Sequence, residues 1–395
     1  MKKYIFYVSL FDINNLHAQP RMVYEICKRH KNSQKIIYTT GDRNLEYRIA
    51  EDIKVFQFNY SLFNVFKKIK ERTAEEDIDK IIFFGSILGA FALLHFIKST
   101  KIILYLYEKK ASLRDFFHLK WVDIFYEHRS NVYSYYSILL FFPNFLIRYL
   151  LQKDNLEAMV VPSFRLEKWF KKICPKVNVV RIAGGVDYER FQNIDAESIN
   201  KLRLKLNPQN KKVILYLGHI RASRGLDEVI QISRRLSEEG YNIKLLMVLN
   251  TKWNYKYGNY FKNKYLKNTD KKFLDAEIIF EHVKDTRYYY AIADFVVLPY
   301  RFAPPLPEYP LVLLEAMCSG SAICAYNIGA IGEVVKDGIN GVLAEVGDYR
   351  ELCQKIKSLL NNPEKQKLIS QKAKFDSKIY DWKHFYRLTN KLLIN

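Results

Sequence analysis

The chain has 395 residues, 49% of them hydrophobic, and a formal net charge of +21. That length exceeds one ordinary core, and that composition excludes a disordered or fibrous chain, so two globular domains are expected. Residues 1–185 hold 30 basic against 18 acidic residues and the remainder 33 against 24, so the excess is spread along the chain; it favours anionic partners, whether phosphates, membrane lipids or nucleic acid.

The first stretch, from Lys3 to Ser9, is short and apolar, and no small-residue cleavage site follows it. It reads as a buried strand, not as a signal peptide. Further strands are expected at 35–40, 53–58, 80–85, 101–107, 157–162 and 178–182, with helices at 20–30, 61–75, 87–98, 111–120, 133–152 and 163–173. This alternation predicts a parallel sheet with helices on both faces. The longest apolar run, Ile138 to Leu151, is broken by Pro143, Asn144 and Arg148 and is too short to span a bilayer. Ligands of such sheets bind beyond the carboxyl ends of the strands. That rule points to Asp12–Pro20 with His17 and the following Arg21, to Gly85-Ser86, and to the loop opening at Tyr107-Glu108-Lys109. No Gly-x-Gly-x-x-Gly follows the first strand, so a dinucleotide site in this half has no support. Asp77-Ile78-Asp79 spells D-x-D, but at a helix–strand junction, and no His/Cys cluster accompanies it.

A domain boundary is expected near residue 190, with a linker to residue 210. A second alternating unit follows, with strands at 213–217, 244–249, 278–280, 294–299 and 322–325. Its helix at 226–238 carries Leu226, Val229, Ile230 and Leu236 on one face. The Tyr-, Lys- and Asn-rich run from Tyr255 to Lys272 reads as a solvated helix or loop. The tail, 380–395, is amphipathic. Cys27, Cys174, Cys318, Cys324 and Cys353 lack metal or redox spacing and read as reduced core residues of a cytosolic protein.

The most informative stretch is Glu308-Tyr309-Pro310-Leu311-Val312-Leu313-Leu314-Glu315-Ala316-Met317-Cys318-Ser319-Gly320. It follows the apolar strand 294–299 and the proline-rich loop 303–307. Pro310 suits a first helical turn, whose free N–H groups make an anion site. Glu315 lies among apolar residues and needs a partner; a sugar hydroxyl pair and a local Arg or Lys are the two alternatives.

That stretch resembles the donor-site signature of family-4 retaining glycosyltransferases of the GT-B fold. Gly329-Ala330-Ile331-Gly332-Glu333-Val334-Val335-Lys336-Asp337-Gly338-Ile339-Asn340-Gly341 and, upstream, Tyr216-Leu217-Gly218-His219-Ile220-Arg221-Ala222-Ser223-Arg224-Gly225 resemble blocks of the same family, in the same order. Arg181–Phe191 is similar to its interdomain segment, with Gly184-Gly185 where the family has Asn-Gly. The resemblance implies an α/β GT-B protein: two Rossmann-like, doubly wound domains facing across a cleft. It implies an acceptor-binding domain at 1–190, a nucleotide-sugar domain at 191–379, and a C-terminal helix, 380–395, crossing back to the first.

It also implies residue roles. Arg224 matches the family's phosphate-binding Lys and can hold a phosphate bidentately. A solvated arginine at a helix start is the alternative, disfavoured by the helix dipole. His219 stands where the family has a second basic residue; Arg221 is a substitute two positions on. A phosphate beside His219 would raise its pKa. Gly218, Leu311, Val312 and Val283, after His282, carry over as residues bordering the nucleotide. Glu315 carries over as the ribose ligand and Glu308 as the residue near the transferred sugar, seven apart where the family spacing is eight, because Pro307 takes the usual first position. A first-domain histidine of the family corresponds to Glu108 or to His128, depending on whether 121–126 is an extra strand; His128 also fits an apolar helical stripe. The expected activity is retaining transfer from a nucleotide sugar to a lipid-linked or saccharide acceptor. No cofactor and no metal are expected, contact with anionic membrane is, and nucleic acid is not a partner. The alternatives are a nucleotide-sugar epimerase and a non-catalytic protein binding a polyanion or membrane.

Overall fold

The computed structural model describes residues 1–9, 18–109, 112, 117–120, 139–250, 255–266, 274–280, 283, 285–302 and 308–394. The chain divides into two compact units. One comprises Met1–Lys109, Phe141–Gly185 and Trp382–Asn395; the other comprises Lys110–Leu140 and Val186–Asp381.

The first unit is built on one sheet. In chain order its elements are β1 (Lys2–Ser9), α1 (Ala18–Arg29), β2 (Ser33–Gly41), β3 (Leu45–Ala50), β4 (Ile53–Asn59), α2 (Leu62–Glu75), β5 (Lys80–Gly85), α3 (Ile87–Phe96), β6 (Lys101–Leu106), α4 (Asn144–Leu151), β7 (Leu156–Val161), α5 (Phe164–Ile173) and β8 (Val179–Arg181). The strand order is β3-β4-β2-β1-β5-β6-β7-β8. All pairs are parallel except β3–β4. Tyr4–Val8 and Ile81–Phe84 are buried throughout, as strands covered on both faces must be. Each such Ile, Val or Phe contributes about 1.5–3 kcal/mol of burial. The strand order reverses between β1 and β5, so this sheet has its switch point there.

The C-terminal helix, Trp382–Ile394, packs within this unit. Trp382, Phe385 and Leu393 join the core formed by Tyr4, Phe6, Ile82 and Tyr105. The Tyr105 hydroxyl bonds Thr389 at 3.0 Å, and Lys80 Nζ donates to the Leu392 carbonyl at 2.9 Å. Gly185 explains itself here: a Cβ would fall 2.2 Å from the Trp382 ring.

The second unit holds α6 (Tyr188–Gln192), α7 (Ala196–Leu206), β9 (Lys212–His219), a 3-10 turn (Ala222–Arg224), α8 (Leu226–Glu238), β10 (Ile243–Asn250), α9 (Tyr255–Phe261), β11 (Ala276–Ile279), α10 (Arg287–Ala291), β12 (Phe295–Leu298), α11 (Leu311–Ser319), β13 (Ala322–Tyr326), α12 (Ile331–Val334), β14 (Val342–Ala344), α13 (Tyr349–Leu360) and α14 (Pro363–Asp376). Its six strands are parallel, in the order β11-β10-β9-β12-β13-β14. The order reverses between β9 and β12, which sets this unit's switch point at their carboxyl ends.

Several details differ from the sequence reading. β3 and β14 were not expected. β3 is a partly exposed, charge-bearing edge strand, and β14 is three residues long. α4 begins at Asn144 after Pro143, so only part of the expected 133–152 helix forms there; residues 121–138 lie outside the described residues. The Tyr255–Lys272 run is not wholly solvated, since Tyr257 and Phe261 are buried. All five cysteines are buried and free.

Candidate active site

The loops at the β9/β12 switch point come from two sequence blocks. Strand β9 ends in Gly218-His219, where the His219 carbonyl accepts from the Tyr216 hydroxyl at 3.3 Å. The chain then makes its 3-10 turn: Arg224 N–H donates to the Arg221 carbonyl at 3.1 Å and Gly225 N–H to that of Ala222 at 3.0 Å. Gly225 closes the turn with φ +70° and starts α8. A Cβ at Gly225 would lie 2.1 Å from the Pro299 carbonyl oxygen. Left-handed backbone and close approach both demand glycine.

Strand β12 ends at Leu298, and Pro299-Tyr300-Arg301 follow it. The Arg224 guanidinium lies over the Tyr300 ring, 4.5 Å from its centroid. Such stacking suits a planar guanidinium. Among the described residues, Arg224 makes no ion pair. Arg301 is the opposite case: 1% exposed, it is tied on every side. Its Nη1 lies 2.9 Å from Asp227 and 3.2 Å from Glu228. Its Nη2 donates to the Ala222 carbonyl at 2.6 Å, and its backbone N–H to the Ser223 carbonyl at 2.8 Å. Lys120 adds a second cation, 3.0 Å from Asp227 and 2.7 Å from Glu228, and Tyr326 donates to Glu228 at 2.7 Å. Burial opposes ionisation of Asp227, but Arg301 and Lys120 outweigh it and hold the carboxyl below the usual carboxylate range.

The signature helix α11 starts at Leu311, with Pro310 as the preceding cap residue and not in the first turn. Leu311 and Val312 are half-buried in that turn, while Leu313, Leu314, Ala316 and Met317 are buried. Glu315 is half-buried and accepts from the Tyr290 hydroxyl at 3.0 Å. That phenol is a partner the sequence reading did not weigh. Burial, then Glu315 and Tyr300, push the Tyr290 phenol well above its ordinary range, so it stays protonated as the donor. Glu308 lies before the helix and is only 5% exposed.

Other expected residues fall elsewhere. Val283 is half-buried, while His282 lies outside the described residues. In the first unit Glu108 follows β6, and its carboxylate accepts from Ile87 N–H at 3.1 Å. With Ser86 Oγ, which accepts from Gly89 N–H at 3.1 Å, it caps α3. Arg21 pairs with Glu25 at 2.6 Å. Asp79 accepts from Lys3 N–H at 2.6 Å, an anchor for β1. His17 and His128 lie outside the described residues. The Gly329–Gly341 block forms a tied turn: Asn340 donates to the Val334 carbonyl at 3.1 Å and to Asp376 at 2.9 Å, and accepts from Lys336 N–H at 2.6 Å.

Tyr290, Tyr300 and Arg301 were missed from the sequence. One signal was available for Arg301. A charge directly after the apolar run Phe295–Tyr300, at a strand's carboxyl end, must be paired or functional.

Residues 198–375 match the family described as glycosyl transferases group 1. The chain is 25% identical over 232 residues to the capsular polysaccharide biosynthesis glycosyltransferase CapM of Staphylococcus aureus, covering 55% of this chain and 57% of the relative. It is 26% identical over 244 residues to the lipopolysaccharide 1,2-N-acetylglucosaminetransferase of Salmonella typhimurium, covering 58% and 60%. These matches thus span somewhat over half of the relatives' length. Among solved structures, Anabaena HepE in complex with UDP-glucose superposes with a TM-score of 0.73 at 15% identity, over 100% of both chains. The fold is GT-B.

Proposed function

Because residues 198–375 match the glycosyl transferases group 1 family within a GT-B fold, we propose that this protein is a glycosyltransferase. In this reading it moves a sugar from a nucleotide-sugar donor, with retention, to a lipid-linked or saccharide acceptor during glycan or cell-surface polysaccharide synthesis. The observation that carries it is Arg224. It is a cation without an ion pair among the described residues, stacked on Tyr300 at a switch point of the sheet.

The chemistry follows from the leaving group. A departing nucleoside diphosphate develops negative charge, and donors fixed beforehand stabilise it best. Arg224 has that role here, with Arg221 and His219 beside it on the same loop. Gly218, Val283, Leu311 and Val312 border the nucleotide. Glu315, held by Tyr290, takes the ribose hydroxyls, and Glu308 sits near the transferred sugar. Glu108 or His128 takes the place of the family's first-domain histidine. UDP-glucose in HepE supports a nucleotide-sugar donor, and the names of both relatives support a glycan product.

The test is turnover of a panel of nucleotide sugars, with and without acceptor lipids and saccharides, and with and without EDTA. Acceptor-dependent release of nucleotide, insensitive to EDTA, is expected. Release of free nucleotide without an acceptor, together with an epimerised sugar product, indicates an epimerase. No turnover and no nucleotide binding would leave a non-catalytic polyanion- or membrane-binding protein.

The reading also places the protein in the cytoplasm, in contact with anionic membrane. No helix among the described residues is long and apolar enough to cross a bilayer. What supports surface contact is an aromatic stripe: Phe141, Phe145 and Tyr149 are 81%, 72% and 66% exposed, four residues apart, around the helix whose Ile147, Leu150 and Leu151 are buried. Lys153 lies 4.1 Å from the Tyr149 ring centroid, and Arg148 is exposed on the same helix. Aromatics beside cations suit an interface with anionic headgroups.

A further inference from the structure

Pro299-Tyr300-Arg301 meets the turn at 222–225 residue against residue. The Pro299 carbonyl abuts Gly225, the Tyr300 ring carries Arg224, and Arg301 holds the carbonyls of Ala222 and Ser223. We propose that Arg301 is a positioning residue for diphosphate binding, which fixes the 222–225 turn and thereby the height and direction of Arg224. The inference rests on the nucleotide-sugar reading above.

The geometry asks for arginine. A guanidinium offers five N–H donors in one rigid plane, so a single side chain serves two carboxylates and a carbonyl together. An ammonium at the end of a flexible stem lacks that fork. The cluster is also balanced in formal charge: Asp227 and Glu228 face Arg301 and Lys120. With Asp227 and Glu228 in the first turn of α8 and Arg301 just past β12, the network fastens the helix start to the strand end across the switch point. A loop fastened in this way presents its cation without rearranging when a diphosphate arrives, which is what preorganisation requires. Arg301 is fully enclosed and reaches the ligand only through the turn.

The test compares nucleoside diphosphates (UDP, GDP and ADP) with the matching monophosphates, by calorimetric titration of the full chain and its Arg301→Lys variant. The monophosphate retains base and ribose contacts, so the ratio of the two affinities isolates what the turn contributes. Arg301→Lys is expected to lower diphosphate affinity roughly tenfold, the low end of what is lost when a residue that orients a metal's ligands is replaced, and to leave monophosphate affinity nearly unchanged. Asp227→Asn, which preserves volume and removes one anchor of Arg301, should shift the ratio in the same direction by less. It serves where Arg301→Lys does not fold. A parallel loss for both nucleotides, tracking a fall in Tm, would make Arg301 merely structural and overturn the inference. An unchanged ratio in folded variants would overturn it too, and leave the nucleotide reading standing. Failure of the unaltered protein to bind any of these nucleotides would overturn both.

Discussion

Gly225→Ala is the sharpest perturbation the site offers. Two costs can be worked out separately. Holding an L-residue at φ +70° costs about 1–2 kcal/mol. The added Cβ would stand 2.1 Å from the Pro299 carbonyl oxygen, where a carbon–oxygen contact needs about 3.3 Å, so the turn and strand end must part by about 1 Å. Separation on that scale breaks the Arg301–Ala222 and Arg301–Ser223 hydrogen bonds, each worth about 1 kcal/mol. The total is about 3–4 kcal/mol. Gly240→Ala is the control: its φ is +88°, but nothing lies within 4 Å of the new Cβ, so it carries the backbone cost alone. Urea denaturation should therefore show Gly225→Ala about 2 kcal/mol less stable than Gly240→Ala, from the same two hydrogen bonds. Nucleoside diphosphate affinity, read by calorimetry, should fall in Gly225→Ala, where the turn that carries Arg224 is displaced, and be unaltered in Gly240→Ala. Equal stability and equal affinity in the two variants would refute the proposed contact between the turn and Pro299.

Three other outcomes are expected. Arg224→Ala should cost about 1.5–3 kcal/mol of charge-assisted binding, roughly 10- to 150-fold in rate, with kcat falling more than KM because the charge develops in the transition state; steady-state kinetics with unchanged turnover in a folded variant would dismiss the role. Glu315→Gln should weaken donor and free nucleotide alike, while Glu308→Gln spares free-nucleotide affinity and lowers turnover; calorimetry giving the reverse pattern would exchange the two assignments. Sedimentation with anionic liposomes should decline as salt rises, since each basic residue near such a surface is worth about 1 kcal/mol within a Debye length, and Phe145→Asp should reduce it further; equal pelleting with neutral vesicles would count against the aromatic stripe.

The architecture was legible where one signal dominated. Short β-branched and aromatic runs such as Ile81–Phe84 and Ile102–Leu106 read as strands buried on both faces, and their alternation with helices gives two parallel sheets. β3 was illegible because Leu45–Ala50 mixes charge with apolar residues at an exposed edge, where the pattern need not be strict. The loop residues 218–225 and the helix 311–319 could be located through their resemblance to a family, and glycine at 225 is explained by its contact with Pro299. The partners of those residues could not. Tyr290 reaches Glu315 from 25 positions upstream, and Arg301 reaches Ala222 from 79 downstream. Local pattern carries no record of such long-range pairs. Spacing alone also could not show that Glu108 would cap α3.

The buried cluster beneath the 222–225 turn bears on why the site is built as it is. Three buried charges with a tyrosine, met by the exposed Lys120, are a poor way to stabilise a fold, because desolvation consumes most of what their attraction returns, and apolar residues of similar volume serve as well or better. Stability alone therefore does not account for Arg301 at 1% exposure. Direction does. Apolar packing would leave the Ala222 carbonyl without its guanidinium donor and would let the turn slide over a smooth surface. The Arg301 fork fixes that carbonyl at 2.6 Å and holds two carboxylates of α8 through the same guanidinium. Strand end, turn and helix start are thereby locked to one another. Arg224, which has only a ring face to rest on among the described residues, inherits its orientation from that lock. The costly residues lie one layer behind the functional one, where rigidity matters most and contact with a ligand is not required.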